Sequence, residues 1–381
     1  MSNLVIPDGG NIGSASDTDA ISISSSGAVT LSSDFVPATP LSHRNLIING
    51  AMQVAQRGTQ FTGIHSDQFV TDRFYFNCYA EQQLRVTCEQ SSTAPNDQGF
   101  NNSLLVNCTT AEASWSSAAY ARISYIAESQ DLQQLRYGTS NKQTITLSFW
   151  VKSSLTGTYA VSMYQYDGDD NIGGTYTINS ADTWEKKTFT FVGNTASTIA
   201  NDNTAGIALN FVLATGSNYT GTDNTSWGSY SSAKAHHGHT ANWGTNTSHN
   251  FYLTGVQLEL GSVATPFEMR SYADELRSCE RYYEAIGNFV GLTNTGKTSI
   301  DGVSSYRTTK RTSSYTVGRK GGANISVAHP TIAGVSATAV SATHKYKNYF
   351  YGNLTVSDTG NANQLVTIYL ADDTLYVDDE L

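Results

Sequence analysis

An all-β protein is what the sequence predicts, and three observations carry that prediction. Charged residues make up only 14% of the 381, while aromatics reach 11% with 22 tyrosines, a composition that favours strands over helices. Apolar residues recur at every second position in many short runs. Gly, Asn, Asp and Ser separate those runs at the spacing of a β-sandwich or jelly roll. The length exceeds that of a usual single domain, so two or three domains are expected.

Residues 1–44 are poor in large apolar side chains and rich in Ser, Gly, Asp and Thr, so they cannot build a core alone and need a partner. Ile21 and Ile23 precede Ser26-Gly27 and Val29 and Leu31 follow it, each alternating with polar residues, which predicts a strand pair around a turn. A disordered leader is the alternative. Residues 37–40, bounded by two prolines, read as a linker.

Residues 45–268 carry the sandwich pattern. The run 144–152 puts Ile145, Leu147, Phe149 and Val151 on one face. The run 159–166 puts Val161 and Met163 on one face and Ser162, Tyr164 and Tyr166 on the other. Runs 184–191 and 207–213 behave alike, the latter aligning Ile207, Leu209, Phe211 and Leu213. These apolar faces are the predicted core. In a further strand Tyr252, Thr254, Val256 and Leu258 alternate with Leu253, Gly255, Gln257 and Glu259. Between these runs lies the long polar stretch 214–250, which holds two tryptophans, and loops of that length are usually functional or mobile.

Segment 269–287 reads as a connecting helix. Ser271 followed by Asp274 makes a capping box with the carboxylate in place of the usual Glu or Gln, so a helix is predicted over 272–285, stopped by Gly287. Tyr272, Leu276, Cys279 and Tyr283, spaced four, three and four, form one stripe expected to bury itself in an oligomer interface. Residues 288–381 then read as a second, smaller β-domain, from runs 313–317, 346–356, 365–370 and 374–378. Asp378, Asp379 and Glu380 read as a solvated acidic tail.

A formal charge of −10 without a basic patch argues against nucleic acid and anionic membranes, whereas neutral polar and aromatic side chains suit a neutral polyol. No leader pattern and no apolar run of about eighteen residues is present, so neither export by a signal nor membrane insertion is expected. Cys78, Cys88, Cys108 and Cys279 lie far apart without a C-x-x-C pair and read as reduced thiols.

Two strings, TGVQLELGSVATPFEMR (254–270) and ELRSCERYYEA (275–285), resemble the signature that ends the jelly-roll module of many bacteriophage tail fibre and virion appendage proteins. RNLIINGAMQVAQR (44–57) and Asp72 to Phe74 resemble its opening, and LSFWVKSSLTGTYAVSMYQYDG (147–168) and WEKKTFTF (184–191) its central strands. DAISISSSGAVTLS (19–32) is similar to segments that join phage fibres to the virion. The resemblance implies a module distantly related to carbohydrate-binding modules. It implies a homotrimeric virion subunit, made in the host cytoplasm, joined to other virion proteins by its N-terminal segment and attaching the particle to host surface glycan. A purely structural capsid-decorating or baseplate fibre is the first alternative, a polysaccharide-degrading tailspike the second. Carbohydrate-binding relatives often place a structural calcium on a carboxylate in the signature strand, where this chain has Thr254.

Trp150, Tyr164 and Tyr166 are glycan-binding candidates, since alternation turns all three away from the core, with Asn210, Thr146 and Lys152 as polar neighbours. Packing is the alternative. Trp227, Trp243, Tyr219 and Tyr230 in the long loop are a second set, which either present rings to glycan or pin the loop to the protein. His236, His237, His239 and His249 could ligate zinc or iron, as facing histidines do at some trimer axes of viral fibres, or stay solvated. Asp167, Asp169 and Asp170 suggest an oxygen-ligand loop, but Gly168 and the missing distal Glu make a hairpin turn the better reading. No catalytic motif is recognisable, so a non-enzyme without cofactor is expected, binding through aromatics rather than charges and with little salt dependence.

Overall fold

A computed structural model describes residues 11–14, 17–26, 29–31, 42–79, 83–221, 223–286, 288–293, 299–319, 325–326, 336–356, 365–369 and 375–381. The linker 37–40, Gly27 and Gly287 lie outside them. In the N-terminal unit, Asp17–Ile23 is the centre of a three-stranded antiparallel sheet, flanked by Asn11–Ser14 and Val29–Leu31. The predicted pair forms, with Ile21 opposite Leu31 and Ile23 opposite Val29. Ile12 and Val29 stay exposed within this chain.

The unit that begins at Asn45 is built on two antiparallel sheets packed face to face. One runs, in spatial order, Glu185–Phe191, Ile145–Ser153, Asn250–Leu260, Ser103–Thr110, Arg85–Ser91 and Gln60–Ile64. The other runs Gly228–Ser229, Asp170–Ile178, Gly157–Gln165, Ala205–Thr215, Tyr120–Glu128, Phe74–Tyr79 and Gln68–Phe69. Alternation decides which side chains meet between them. Ile145, Leu147, Phe149 and Val151 face Val161, Met163, Leu209 and Phe211 in a single core, all buried as the pattern predicts. Phe149 packs edge-on to Phe211 at 4.9 Å, a preferred aromatic geometry, and each such ring contributes roughly 1.5–3 kcal/mol by burial. All four cysteines are buried and none is in a disulfide.

The strand Asn250–Leu260 departs from simple alternation. Trp150 pairs with Thr254 but Ser148 pairs with Gln257, so Gly255 and Val256 together oppose one residue. Gly255 takes φ 62°, and a Cβ there would press on Phe100 and Trp150. This bulge puts Phe251 and Leu253 in the core before it and Val256 and Leu258 in the core after it, while Tyr252, Thr254, Gln257 and Glu259 share the other face. The predicted grouping of Tyr252 and Thr254 with Val256 and Leu258 therefore fails at Gly255.

The helix starts where the capping box places it, with Ser271 Oγ accepting from the Asp274 amide at 3.2 Å and donating to Asp274 Oδ2 at 2.6 Å. It spans Tyr272–Glu280 only. Tyr283–Ile286 is instead a strand paired with Leu375–Asp378, and the adjacent rings of Tyr282 and Tyr283 are each buried, the first on Arg73 and the second on Arg57. The predicted stripe is thus divided. Cys279 and Tyr283 are covered by the chain's own residues, so they cannot face a partner, Leu276 is half-buried, and Tyr272 is 57% exposed.

Beyond it, Tyr283–Ile286, Leu375–Asp378 and Thr316–Arg319 form one small sheet, and Ile325–Ser326, Ser336–Tyr346, Tyr349–Val356, Ser299–Ser305, Asn288–Thr293 and Leu365–Tyr369 a second. The run read as 346–356 is two strands joined by a turn at Lys347-Asn348. Phe289, Ile300, Tyr315, Phe350, Leu354, Leu375 and Val377 give these sheets a core of their own.

The acidic tail is not solvated. The Arg73 guanidinium is buried 3.4 Å from the Tyr282 ring and ion-pairs with Glu380. Arg57 lies 3.9 Å from the Tyr283 ring and pairs with Asp378 at 3.1 Å and Glu380 at 3.4 Å. Asp379 accepts from the backbone and hydroxyl of Thr312, both at 2.6 Å. A run of like charges is solvated only where no buried cations wait for it, and here two arginines of the jelly roll do.

Candidate functional site

The outer face of the seven-stranded sheet collects the residues that alternate with its core. Phe74, Phe76 and Cys78 point inward, which turns Tyr75, Asn77 and Tyr79 outward; Ala121, Ile123 and Tyr125 point inward, which turns Tyr120, Arg122 and Ser124 outward. Register then sets these side chains in rows. Tyr75 opposes Ser124, Ser124 opposes Asn210 and Asn210 opposes Ser162. Beside them Asn77 opposes Arg122, and Ala208 opposes Tyr164, which opposes Asn171.

A cleft of about 270 Å³ opens on this face, walled by Tyr75, Tyr164, Tyr166 and Tyr230 and floored by Arg122, Asn171 and Asn210. Tyr164 is its centre, edge-on to Tyr166 at 4.9 Å and to Tyr230 at 5.3 Å. Tyr230 is carried there by the short strand Gly228–Ser229, which pairs with Asp170 and Asn171, and its amide donates to the Asp169 carbonyl at 2.7 Å. Gly173 leaves room for this crossing, since a Cβ there would strike the Asn224 side chain and the Val161 carbonyl. The Tyr164 hydroxyl donates to Asp169 Oδ1 at 2.6 Å, and burial together with that carboxylate pushes its pKa well up, so the ring stays neutral.

Polar groups on the floor are partly fixed and partly unspent. Ser124 Oγ donates to Asn210 Oδ1 at 2.8 Å, and Arg122 Nε donates to Asn77 Oδ1 at 2.9 Å while its guanidinium lies 4.5 Å from the Tyr120 ring. Asn171 is buried, yet neither its Oδ1 nor its Nδ2 has a partner among the described residues. A buried amide left so costs roughly 1–3 kcal/mol, which a ligand or a water in the cleft recovers.

Of the sequence candidates, Tyr164, Tyr166 and Tyr230 meet in this cleft with Asn210, Tyr166 42% and Tyr230 40% exposed. Trp150 does not join them. It lies on the outside of the other sheet, packed on the small cluster of Ala51, Ala94 and Phe100, because its strand belongs to that sheet. Thr146, in the same strand, donates to the Gly261 carbonyl at 2.8 Å, and Lys152 lies 4.2 Å from the Tyr252 ring. Trp243 is fully buried in the sandwich core, and Trp227, half-buried, donates through Nε1 to the Val192 carbonyl at 2.7 Å with its ring edge-on to Tyr137. Tyr219 donates to the Ala118 carbonyl at 3.0 Å. These three pin the long loop, the alternative that the sequence left open for them. Tyr75, Arg122 and Asn171 were not foreseen, although the alternation of 74–79 and 120–124 holds the information for the first two.

The histidines do not converge, and no group of three or more His, Cys, Asp or Glu suited to a metal occurs among the described residues. His236 Nδ1 is bonded to Thr215 Oγ1 at 2.8 Å, His249 Nδ1 accompanies the Trp243 carbonyl at 2.6 Å, and His237 lies 3.9 Å from Asp223. His239 is buried with Nδ1 accepting from the Ala160 amide at 3.1 Å and Nε2 2.6 Å from the Ala241 carbonyl. They tie the loop down, and neither the metal site nor a solvated cluster forms. Asp167 to Asp169 form the expected turn, and Asp170 Oδ2 accepts from Asn194 and Ser197.

His239 makes acid instability testable. Protonation needs a hydrogen on Nδ1, which would remove the acceptor for Ala160, and burial pushes this imidazole down to about 4. The unfolded chain, with its histidine near 6.5, binds more protons between those values, so stability is full above about pH 6.5 and falls as pH drops towards 4, by about 3 kcal/mol in all. Urea unfolding of the wild type and His239→Gln across this range should show the wild-type advantage shrinking with acidity. An advantage constant with pH would contradict the assignment.

No family model and no curated protein sequence matches the chain. Solved structures with some likeness include the enzymatically active domain of bacteriophage CBA120 tailspike protein 4, at 14% identity over 57% of this chain and 21% of that one, TM-score 0.31. A putative sugar binding protein from Bacteroides thetaiotaomicron VPI-5482 is 14% identical over 57% of this chain and all of its own, TM-score 0.31. The CBM22-1 xylan-binding domain of Paenibacillus barcinonensis Xyn10C is 10% identical over 60% of this chain and all of its own, TM-score 0.27. The chain spans about a fifth of the tailspike structure.

Proposed function

We propose that this protein is a bacteriophage virion fibre subunit that holds the particle on its host by binding surface glycan, without cleaving it, in the tyrosine-walled cleft. The observation that carries the binding is the conjunction of tyrosine rings with the unpartnered amide of Asn171 in one cleft. Aromatic rings take the apolar faces of a pyranose, while phenol hydroxyls and an unspent amide take its hydroxyl groups. Glycoside cleavage ordinarily needs two carboxylates, and the one carboxylate bonded to a cleft tyrosine among the described residues, Asp169, accepts the Tyr164 hydroxyl. The virion setting rests on the sequence strings at 44–57, 147–168 and 254–285. A homotrimer would cover Tyr272 and the exposed Ile12 and Val29, and three weak sites on each fibre would add avidity.

Glycan-array binding and particle adsorption test this reading. Tyr164→Ala and Tyr230→Ala should each weaken glycan binding about tenfold or more with the fold intact, from the loss of ring contacts of order 1 kcal/mol and of the wall they form. No reducing sugar should be released. Unchanged adsorption with both variants, and an array without hits, would leave a structural fibre as the better description. Light scattering of the full-length protein at one subunit's mass would remove the trimer.

A further inference from the structure

Resting on the reading of this cleft as a glycan site, we infer that its ligand is an acidic glycan, one bearing a sugar carboxylate, and that Arg122 is the residue that selects it. Among the described residues, Arg122 is the one charged side chain lining the cleft. Elsewhere in this unit Arg57, Arg73, Arg270, Arg281 and Arg311, whose side chains are a quarter exposed or less, each face a carboxylate. Arg122 has none within ion-pair distance among the described residues, although the protein carries an excess of ten negative charges. Its position is fixed nonetheless. Nε is held by Asn77 Oδ1, Asn77 is held in turn by Asp67, and the guanidinium plane rests on Tyr120. The two terminal amino groups have no acceptor among the described residues. A guanidinium prepared in this way presents parallel N–H donors that match a carboxylate.

Two carboxylates are tied to neighbours of Arg122, Asp169 to the Tyr164 hydroxyl and Asp67 to the Asn77 amide, and neither forms an ion pair with it. The arrangement sets one positive group among tyrosine rings on an otherwise acidic protein, which favours an anionic sugar over its neutral counterpart and reverses the expectation of salt-independent binding from composition.

Matched pairs on a glycan array test this: a galacturonate tetramer with its methyl ester, and sialyllactose with lactose. The full-length wild type should prefer the acidic member about tenfold or more, with the preference shrinking as salt rises. Arg122→Gln should bring the ratio of the two affinities near one, and Arg122→Lys should restore part of it. Near-UV circular dichroism checks that both variants keep the fold. Equal binding of both members by wild type, or a preference that survives Arg122→Gln, overturns the inference. If neutral members bind and Tyr164→Ala abolishes that binding, the inference fails while the cleft stands as a glycan site. Binding indifferent to Tyr164→Ala, or no binding to any member, sinks both.

Discussion

Trp243→Ala should destabilise the protein by about 3–5 kcal/mol, the cost of removing a large side chain from a filled interior. The ring is fully buried in the sandwich core, next to Gly244, which lies so close to Trp115 that a Cβ there would clash. Its own carbonyl holds His249. Removal would therefore leave a cavity and loosen the end of the long loop together. Urea unfolding followed by far-UV circular dichroism should show a large fall in midpoint, whereas Tyr230→Ala, on the exposed rim, should shift it little. A wild-type midpoint for Trp243→Ala would mean that the loop is held by other contacts.

The second large effect concerns Arg73 and Glu380. Both side chains are buried and Arg73 also donates to the Ile126 carbonyl and stacks on Tyr282; without Glu380, Arg73 is a desolvated charge with no other ion pair among the described residues, and without Arg73, Glu380 keeps only Arg57 at 3.4 Å. Arg73→Met and Glu380→Gln should each cost about 3–5 kcal/mol. The double variant should cost clearly less than the sum, because the second substitution removes the charge that the first left stranded. A double-mutant cycle in urea measures this directly, and strict additivity would show that the two groups do not stabilise one another.

Much of the sandwich was legible because its signal is local. Phe149 and Phe211 fall on core faces that a period of two reveals without any knowledge of their partners. The failures occur where a distant segment decides. Gly255 looks like any glycine in a strand until the pairing with Ser148 and Trp150 shows the bulge. Tyr283 satisfies a helical stripe, but pairing with Asp378 makes it a strand residue. Asp379 and Glu380 look like solvent-exposed acids because Arg73 and Thr312 are far away in sequence. In the cleft, Tyr164 and Tyr166 follow from alternation, while Trp150 was grouped with them only because sequence does not say which of two sheets a strand enters. Arg122 escaped notice because its meaning lies in the absent carboxylate, which composition cannot show.

The grip of the tail on the jelly roll also dictates the order of events during synthesis. Arg73 and Glu380 are 307 positions apart. On the ribosome, a nascent chain that has already produced every strand of the sandwich still holds Arg73 without its acidic counterion, Arg57 with only Asp72 at 4.0 Å, and Tyr283–Ile286 without its partner strand. Such an intermediate exposes a strand edge and the uncompensated Arg73 until residues 375–380 emerge, so the sandwich should reach full protease resistance only after they have done so. A stop codon placed before residue 375 would release an assembled but unlatched jelly roll, and it is in that state that the protein would be most exposed to aggregation and proteolysis.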